Sequence, residues 1–159
     1  MYTLSATEYQ EYLMLKELAY KDELTGCWNR RGMSVLLERM AATSLLTIVF
    51  IDIRGLHNFN KVEGHLAGDG LIRFIASLVR KEDTVRWGGD EFLSICLDYL
   101  PVDVITKRMS EMDSRVIQEY GPQVGIHWGH SYGRKEDFSE VMVEAEKVML
   151  AGKPVEVRL

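Results

Sequence analysis

The chain has 159 residues, 47% hydrophobic and 27% charged, a length and balance that suit one compact domain with a single core. Its net charge of −5 argues against a nucleic-acid polymer as partner, which needs a basic face, but not against a nucleotide whose charge a metal offsets. No apolar run reaches membrane-spanning length, Met1 to Tyr20 lacks the layout of a signal peptide, and Cys27 and Cys96 show no metal-ligand spacing, so a cytoplasmic protein with reduced thiols is expected.

Residues 3–20 are expected to be helical, with Tyr12, Leu15, Leu18 and Ala19 in an apolar stripe too narrow for a core helix. Such a stripe suits packing on the domain or pairing with a second copy. Asp22 to Gly32 reads as a polar turn, and Met33, Leu36, Leu37, Met40 and Ala41 then recur at helical spacing. Leu45 to Ile53 is a continuous apolar strand carrying Asp52 near its end. After a loop, Leu71, Phe74, Ile75, Leu78 and Val79 repeat the helical pattern. Gly88-Gly89, between the apolar runs Thr84 to Trp87 and Phe92 to Leu97, reads as a hairpin tip where glycine supplies φ > 0. Pro101 opens a helix through Val102, Ile105, Met109, Met112 and Val116, ended by Gly121-Pro122. Val124 to Trp128 is a strand; Phe138, Val141, Ala145 and Val148 mark a last helix, stopped by Gly152 and Pro154; Val155 to Leu159 is an edge strand. Helices interleaved with a hairpin imply an α/β layered fold, and no internal repeat, low-complexity tract or second domain is visible.

Chemistry concentrates around Gly88-Gly89-Asp90-Glu91-Phe92. Two residues without side chains let backbone N–H groups approach a phosphate, and the adjacent acids suit a divalent cation. A surface hairpin with solvated acids is the competing reading. Asp52 at the carboxyl end of a strand lies where α/β proteins place ligand groups, although a lone aspartate there also serves as a turn or cap residue. Asn60, Gly64-His65 and Gly68-Asp69 follow, the last pair opening a helix whose N-terminus favours phosphate or a polar base. Asp69 also reads as an N-cap and Asn60 as a turn residue. A carboxylate and a carboxamide nevertheless match guanine: the acid accepts from N1–H and N2–H, the amide meets O6 or N7. Neither a P-loop nor a dinucleotide-binding fingerprint is present.

Together these segments resemble the GGDEF family of diguanylate cyclases from Asp22 onward. Asp22 to Arg31 fits D-x-L-T-G-x-x-N-R-R; Asp52-Ile53, Asn60, Gly64-His65 and Gly68-Asp69 fit D-I-x(6)-N-x(3)-G-H-x-x-G-D; Arg86 to Phe92 fits the signature hairpin. The resemblance implies an α/β palm-like fold (nucleotidyl cyclase, ferredoxin-like) with a mixed, largely antiparallel central sheet of about five strands flanked by helices. Residues 1–20 would be an N-terminal connector helix and 21–159 the GGDEF domain. The implied activity joins two GTP into cyclic di-GMP with release of two pyrophosphates, across a homodimer of facing domains. By the same likeness Asp52, the Ile53 carbonyl and Asp90 bind Mg²⁺ or Mn²⁺, with Glu91 supporting the metal. Asp90 also helps deprotonate the ribose 3′-hydroxyl. Gly88-Gly89 lies against the phosphates, Asn60 and Asp69 read guanine, and His65 lies near the nucleotide. An upstream sensor commonly acts on such a domain through its connector helix.

The chain departs from the family pattern at phosphate-facing positions. His57 stands where the family usually has lysine five residues after the metal aspartate; Met149 and Lys153 stand for a lysine and an arginine near the C-terminus. A neutral imidazole and a thioether hold phosphate poorly, and lysine lacks the arginine fork. These changes support a second reading, a weak or inactive domain that binds GTP or cyclic di-GMP as a regulatory or dimerisation module. Arg80-Lys81-Glu82-Asp83 matches the family's R-x-x-D product-inhibition motif, but Asp83 stands one residue closer to Gly88 than usual, which in a strand reverses side-chain direction. His127 and His130, three apart on a strand, point to opposite faces and do not share a metal. Trp87 and Trp128 read as packing residues and Arg134 to Asp137 as a solvated loop.

Overall fold

The central apolar run forms strand β1, Leu45–Arg54, in the computed structural model, which describes residues 5–152. Its residues from Leu46 to Ile53 are all buried because both faces of the sheet are covered. Val49, Ile51 and Ile53 pack into one apolar cluster and Leu46, Ile48 and Phe50 into another. Each large side chain so buried contributes about 1.5–3 kcal/mol, so β1 carries much of the driving force for folding.

Three further strands flank it: β2 (Thr84–Arg86), β3 (Glu91–Leu97) and β4 (Gly125–Arg134). Their order is β2-β3-β1-β4, and each neighbouring pair is antiparallel. The expected mixed sheet is therefore antiparallel within the described residues, apart from one parallel bridge between Trp28 and Val85. Four strands are described rather than about five; the expected edge strand Val155 to Leu159 lies outside the described residues.

Helix α2 (Arg30–Glu38) contributes Leu36 to the second cluster, and α6 (Phe138–Ala151) contributes Phe138, Val141, Ala145 and Met149. On the first face, α4 (His65–Leu78) supplies Leu71, Ile72 and Ile75, and α5 (Val102–Tyr120) supplies Ile105, Met112 and Val116. Val148, expected in the buried stripe of the last helix, is 41% exposed, while Met149 beside it is 1% exposed. A shift of one residue turns a helix by about 100°, enough to exchange the two.

The loop expected after β1 is instead helix α3, Leu56–Glu63. Only Leu56 and Phe59 anchor it in the core, too few apolar positions to show a helical period. Gly55 (φ 80°) turns the chain into it and Gly64 (φ 87°) turns it out into α4. Since α4 begins at His65, Gly68 and Asp69 lie inside the helix, and Asp69 is not its N-cap. Strand β4 outruns its expected end by continuing to Arg134, and the loop expected at Arg134 to Asp137 is the end of that strand plus a single 3₁₀ turn, Lys135–Asp137, pinned by Lys135 Nζ donating to the Met40 carbonyl at 2.7 Å.

Helix α1 (Ala6–Tyr20) starts at a capping box in which Ser5 and Glu8 satisfy each other's backbone N–H groups. None of its residues is buried; Tyr12 is 44%, Leu15 64% and Leu18 57% exposed. The last turn does pack on the domain, with Ala19 half-buried and Tyr20 against the second cluster, while Tyr12, Leu15 and Leu18 do not. Within the described residues no helix is long and apolar enough to cross a membrane. Burial pushes the Cys27 and Cys96 thiols above their ordinary pKa, so both stay protonated near neutrality, in line with free, reduced cysteines.

Helix α6 lies against the backbone of β4 at Gly129, where an added Cβ would run into the Met149 amide nitrogen and the Ala145 carbonyl oxygen. Gly129→Ala is therefore expected to lower stability by about 1–3 kcal/mol, read as a drop in the urea midpoint at unchanged slope. An unchanged midpoint would mean that α6 is not seated on β4.

Candidate active site

Asp52 is the next residue on β1 to face the second cluster after Leu46, Ile48 and Phe50, and it is the polar group with which that apolar row ends. It is 9% exposed. Its register partners are Glu91 on β3 and His127 on β4. Directly opposed residues of antiparallel strands share a face, so Glu91, Asp52 and His127 form one row across the sheet. His127 Nδ1 lies 4.0 Å from Asp52 Oδ1. His130 pairs with Val49 and faces the other cluster, as its spacing required.

The hairpin ties Asp90 by its backbone to the end of β1. Ile53 N–H donates to the Asp90 carbonyl at 2.9 Å, which fixes the tip against the end of β1. The connection is four residues, Trp87 to Asp90, between β2 and β3. The expected φ > 0 at Gly88-Gly89 does not occur, because a loop of this length does not need the mirror-image turn that a two-residue tip requires. What excludes a side chain at Gly88 is space: a Cβ there would collide with the Glu91 carboxylate, whereas Gly89 is open on all sides. The N–H groups of Trp87 and Gly88 both point to the Glu91 carbonyl, at 2.8 and 3.3 Å. Gly88 therefore spends its N–H inside the hairpin, and Gly89 presents the free approach.

Arg86 braces this tip. Its Nη2 donates to the Gly89 carbonyl at 2.8 Å and its Nη1 meets both Asp22 carboxylate oxygens at 3.1 and 3.2 Å. Asp22 also receives the Thr25 N–H and hydroxyl, so the D-x-L-T turn and the hairpin form one network. Arg30 stacks on Trp87 with its guanidinium carbon 4.2 Å from the ring centre, placing a positive charge beside the tip. Sequence reasoning treated Arg86 only as part of a motif and Trp87 as packing; the signal for the brace was two unlike charges at the ends of two motif blocks.

The remaining expected site residues divide into groups. Asn60 packs on Gly68 so closely that a Cβ there would strike its carboxamide, and Asn60 Oδ1 is buried with no hydrogen-bond partner. A buried acceptor left in this state fits a ligand donor that completes it. Asp69 is half-buried on α4, and His57 and His65 are exposed at the starts of α3 and α4. Met149 does not face the site: it lies in the apolar core under β4. Lys153 lies outside the described residues.

Arg80 and Asp83 do not sit on a strand. The 3₁₀ turn Lys81–Asp83 intervenes, and Arg80 Nε meets Asp83 Oδ2 at 3.2 Å, so the reversal argued from strand parity does not apply. Both line a groove of about 730 Å³ on the α4/α5 face of the sheet, together with Cys96, Arg108, Glu111 and Arg115.

The donors that the sequence assigns to a cation, the carboxylates of Asp52, Asp90 and Glu91 and the Ile53 carbonyl, are all hard oxygens. This donor set fits Mg²⁺ or Mn²⁺. Among the described residues no three His, Cys, Asp or Glu side chains are placed to hold a metal ion between them. An open set is what a nucleotide-bound Mg²⁺ requires, because one or two carboxylates share the ion with phosphate oxygens.

An antiparallel sheet with helices on both faces and acids at the ends of its inner strands defines a palm-type nucleotidyl cyclase fold. The chain belongs to the GGDEF family: the family model described as "Diguanylate cyclase, GGDEF domain" matches residues 19–156. Among its relatives, the probable diguanylate cyclase DgcJ of Escherichia coli is 31% identical over 127 residues, 73% of this chain and 25% of DgcJ. The cyclic di-GMP phosphodiesterase PdeR of the same organism is 26% identical over 155 residues, 87% of this chain and 23% of PdeR. The chain thus spans about a quarter of the length of these two relatives. The crystal structure of the coiled coil and GGDEF domain of DgcB from Caulobacter crescentus, in complex with c-di-GMP, superposes with a TM-score of 0.74 at 23% identity, covering 91% of this chain and 86% of that one.

Replacing Arg86 with alanine leaves a half-buried Asp22 without its cation and frees the Gly89 carbonyl. Hydrogen bonds to charged groups are worth about 1.5–3 kcal/mol, so Arg86→Ala is expected to destabilise by about that amount. Hydrogen exchange at Trp87 and Gly88 should accelerate selectively; uniform acceleration across the sheet would show that the brace acts on the fold and not on the tip.

Proposed function

We propose that this domain is a diguanylate cyclase that joins two GTP into cyclic di-GMP and releases two pyrophosphates. The observation that carries the reading is the row of Asp52 opposite Glu91, with Asp90 tied to Ile53 by a backbone hydrogen bond. Asp52, the Ile53 carbonyl, Asp90 and Glu91 would hold a Mg²⁺ or Mn²⁺ ion, which would supply charge to acidify the ribose 3′-hydroxyl and to offset the α-phosphate. Asp90 takes the proton of the 3′-hydroxyl. The freed oxygen forms a bond to the α-phosphorus of the GTP held by the facing domain, and the bond to the β-phosphate oxygen breaks, releasing pyrophosphate. The same exchange in the opposite sense closes the ring.

Asn60 and Asp69 hold the guanine edge, and the orphaned Asn60 Oδ1, an acceptor, takes a guanine N–H there instead of meeting O6 or N7. His65, at the start of α4, lies beside the nucleotide, and Gly89 lets the phosphates approach the tip. His57, Lys153 and the stacked Arg30 supply what positive or donor character the phosphates meet. Catalysis needs two domains facing each other, and the exposed stripe of α1 fits a homodimer set up by that helix. An upstream sensor acting through α1, and residence in the cytoplasm where GTP is made, belong to the same reading.

One observation favours the weaker alternative, a GTP- or cyclic di-GMP-binding regulatory module. Met149 replaces a phosphate-facing lysine of the family and is buried in the core, and His57 removes a second charge. Incubating the purified protein with GTP and Mg²⁺ or Mn²⁺ separates the two: cyclic di-GMP that disappears in Asp52→Asn and Asp90→Asn supports the cyclase. No product at high protein concentration, with GTP still bound, supports the module. His57→Lys is expected to raise turnover by about tenfold or more if the missing charge limits the step, and an unchanged rate rejects that account.

We further infer that the groove bearing Arg80 and Asp83 takes the product. Arg108 and Arg115 add positive charge suited to an anionic dinucleotide. Added cyclic di-GMP should slow turnover in the parent chain and not in Arg80→Ala; equal inhibition of both places the effect elsewhere.

A further inference from the structure

The groove bearing Arg80 and Asp83 lies on the first face of the sheet, while α1 ends at Tyr20 against the second cluster, on the other face. Edge strand β2 stands between them, and Trp28 wraps it. The backbone of Trp28 bridges Val85 on β2 and Lys21 at the end of α1. Its N–H donates to the Thr84 carbonyl at 2.9 Å, and its carbonyl accepts from the Arg86 N–H at 2.7 Å. The indole Nε1–H donates to the Glu82 carbonyl at 2.8 Å, inside the 3₁₀ turn that separates Arg80 from Asp83. The ring face receives the Lys21 ammonium 3.7 Å from its centre and the Arg39 guanidinium at 5.0 Å. Lys21 is the C-cap of α1. A Cβ at Gly32 would strike both the Tyr20 carbonyl oxygen and the indole ring, so the end of α1, the ring and α2 lie in close contact. Trp28 is only 7% exposed, and in such close packing a shift at one edge of the ring is passed on to the other.

We propose that Trp28 couples the product groove to the connector helix, so that occupancy at Arg80 and Asp83 changes how the last turn of α1 is held. The inference rests on product binding in that groove, proposed above, and deepens it by naming the residue through which the two regulatory inputs meet. The element with two states is the 3₁₀ turn. Without ligand, Arg80 Nε meets Asp83 Oδ2 at 3.2 Å and ties the two ends of the turn together. The Arg80 side chain is 79% exposed, so an anionic dinucleotide reaches it and competes with the carboxylate for its guanidinium. That exchange unties the turn, and the Glu82 carbonyl moves with it. The indole follows its acceptor or loses it, and the Lys21 ammonium on the ring face is reseated in either case. Coupling between two binding events is reciprocal, so a partner that fixes α1 alters the affinity for product by the same factor.

The test is a titration of the ¹⁵N-labelled chain with cyclic di-GMP, read by nuclear magnetic resonance and by hydrogen exchange. The sequence has three tryptophans, Trp28, Trp87 and Trp128, so three indole N–H signals are to be assigned. Trp28→Phe keeps a ring for Lys21, removes the donor and assigns the Trp28 signal directly; Trp87→Phe and Trp128→Phe assign it by elimination if that variant fails to fold. Product is expected to shift the Trp28 indole signal and to change amide exchange over residues 17–21 by about fivefold or more. In Arg80→Ala the turn is untied without ligand. Its Trp28 signal should already stand near the position that product induces in the parent, and added product should move it no further. In Trp28→Phe product should still bind, with exchange in α1 no longer responding. Product bound in the groove while the Trp28 signal and α1 stay unchanged would overturn the coupling and leave the product site intact. A response of α1 in Trp28→Phe equal to that of the parent would overturn it as well. If cyclic di-GMP does not bind the chain, the product site itself falls; an unmoved Trp28 signal in ligand-free Arg80→Ala then rejects the coupling on its own evidence.

Discussion

A strand covered on both faces is the constraint from which the site follows. β1 is buried from Leu46 to Ile53, and its side chains alternate between two separate apolar clusters. Such a strand tolerates charge only near its end. Asp52 occupies that point, and antiparallel pairing then dictates its neighbours: Glu91 on one side, His127 on the other. Asp52 and Glu91 therefore need no loop of their own to bring them together. Register delivers them, and the same hydrophobic alternation that orders the core fixes the register.

The hairpin depends on β1 in a different way. Its tip is anchored by the Ile53 amide, by Arg86 reaching back to the Gly89 carbonyl, and by Gly88 yielding space to the Glu91 carboxylate. Glycine is required here for volume and not for backbone angle. A reading based on the turn dipeptide reaches the right residue for the wrong reason, because Gly-Gly in sequence does not reveal whether the loop holds two residues or four.

Much of the architecture was readable from periodicity. The buried strand, both long helices on the first face and the hairpin stood where apolar spacing put them. Short elements were not. Helix α3 rests on Leu56 and Phe59 alone, and two anchors make no period. Arg80 and Asp83 were judged by strand parity, although one 3₁₀ turn decides how they meet. Within the site, the acids at Asp52, Asp90 and Glu91 were readable as a motif set. The facing of Asp52 and His127 was not, since the two stand 75 positions apart on strands that only folding places side by side. The orphaned oxygen of Asn60 likewise depends on how tightly α3 lies on Gly68, which no composition reports.

Met149 carries a consequence for what its position can hold. It fills a position that is 1% exposed against the backbone of β4, where Gly129 has no side chain to give way. A lysine placed there now must bury its ammonium or push α6 outward, and either outcome is costly. Restoring the family residue would therefore need companion changes in the surrounding packing. The position thus serves the seating of α6 on β4, and a single charge placed there competes with that packing.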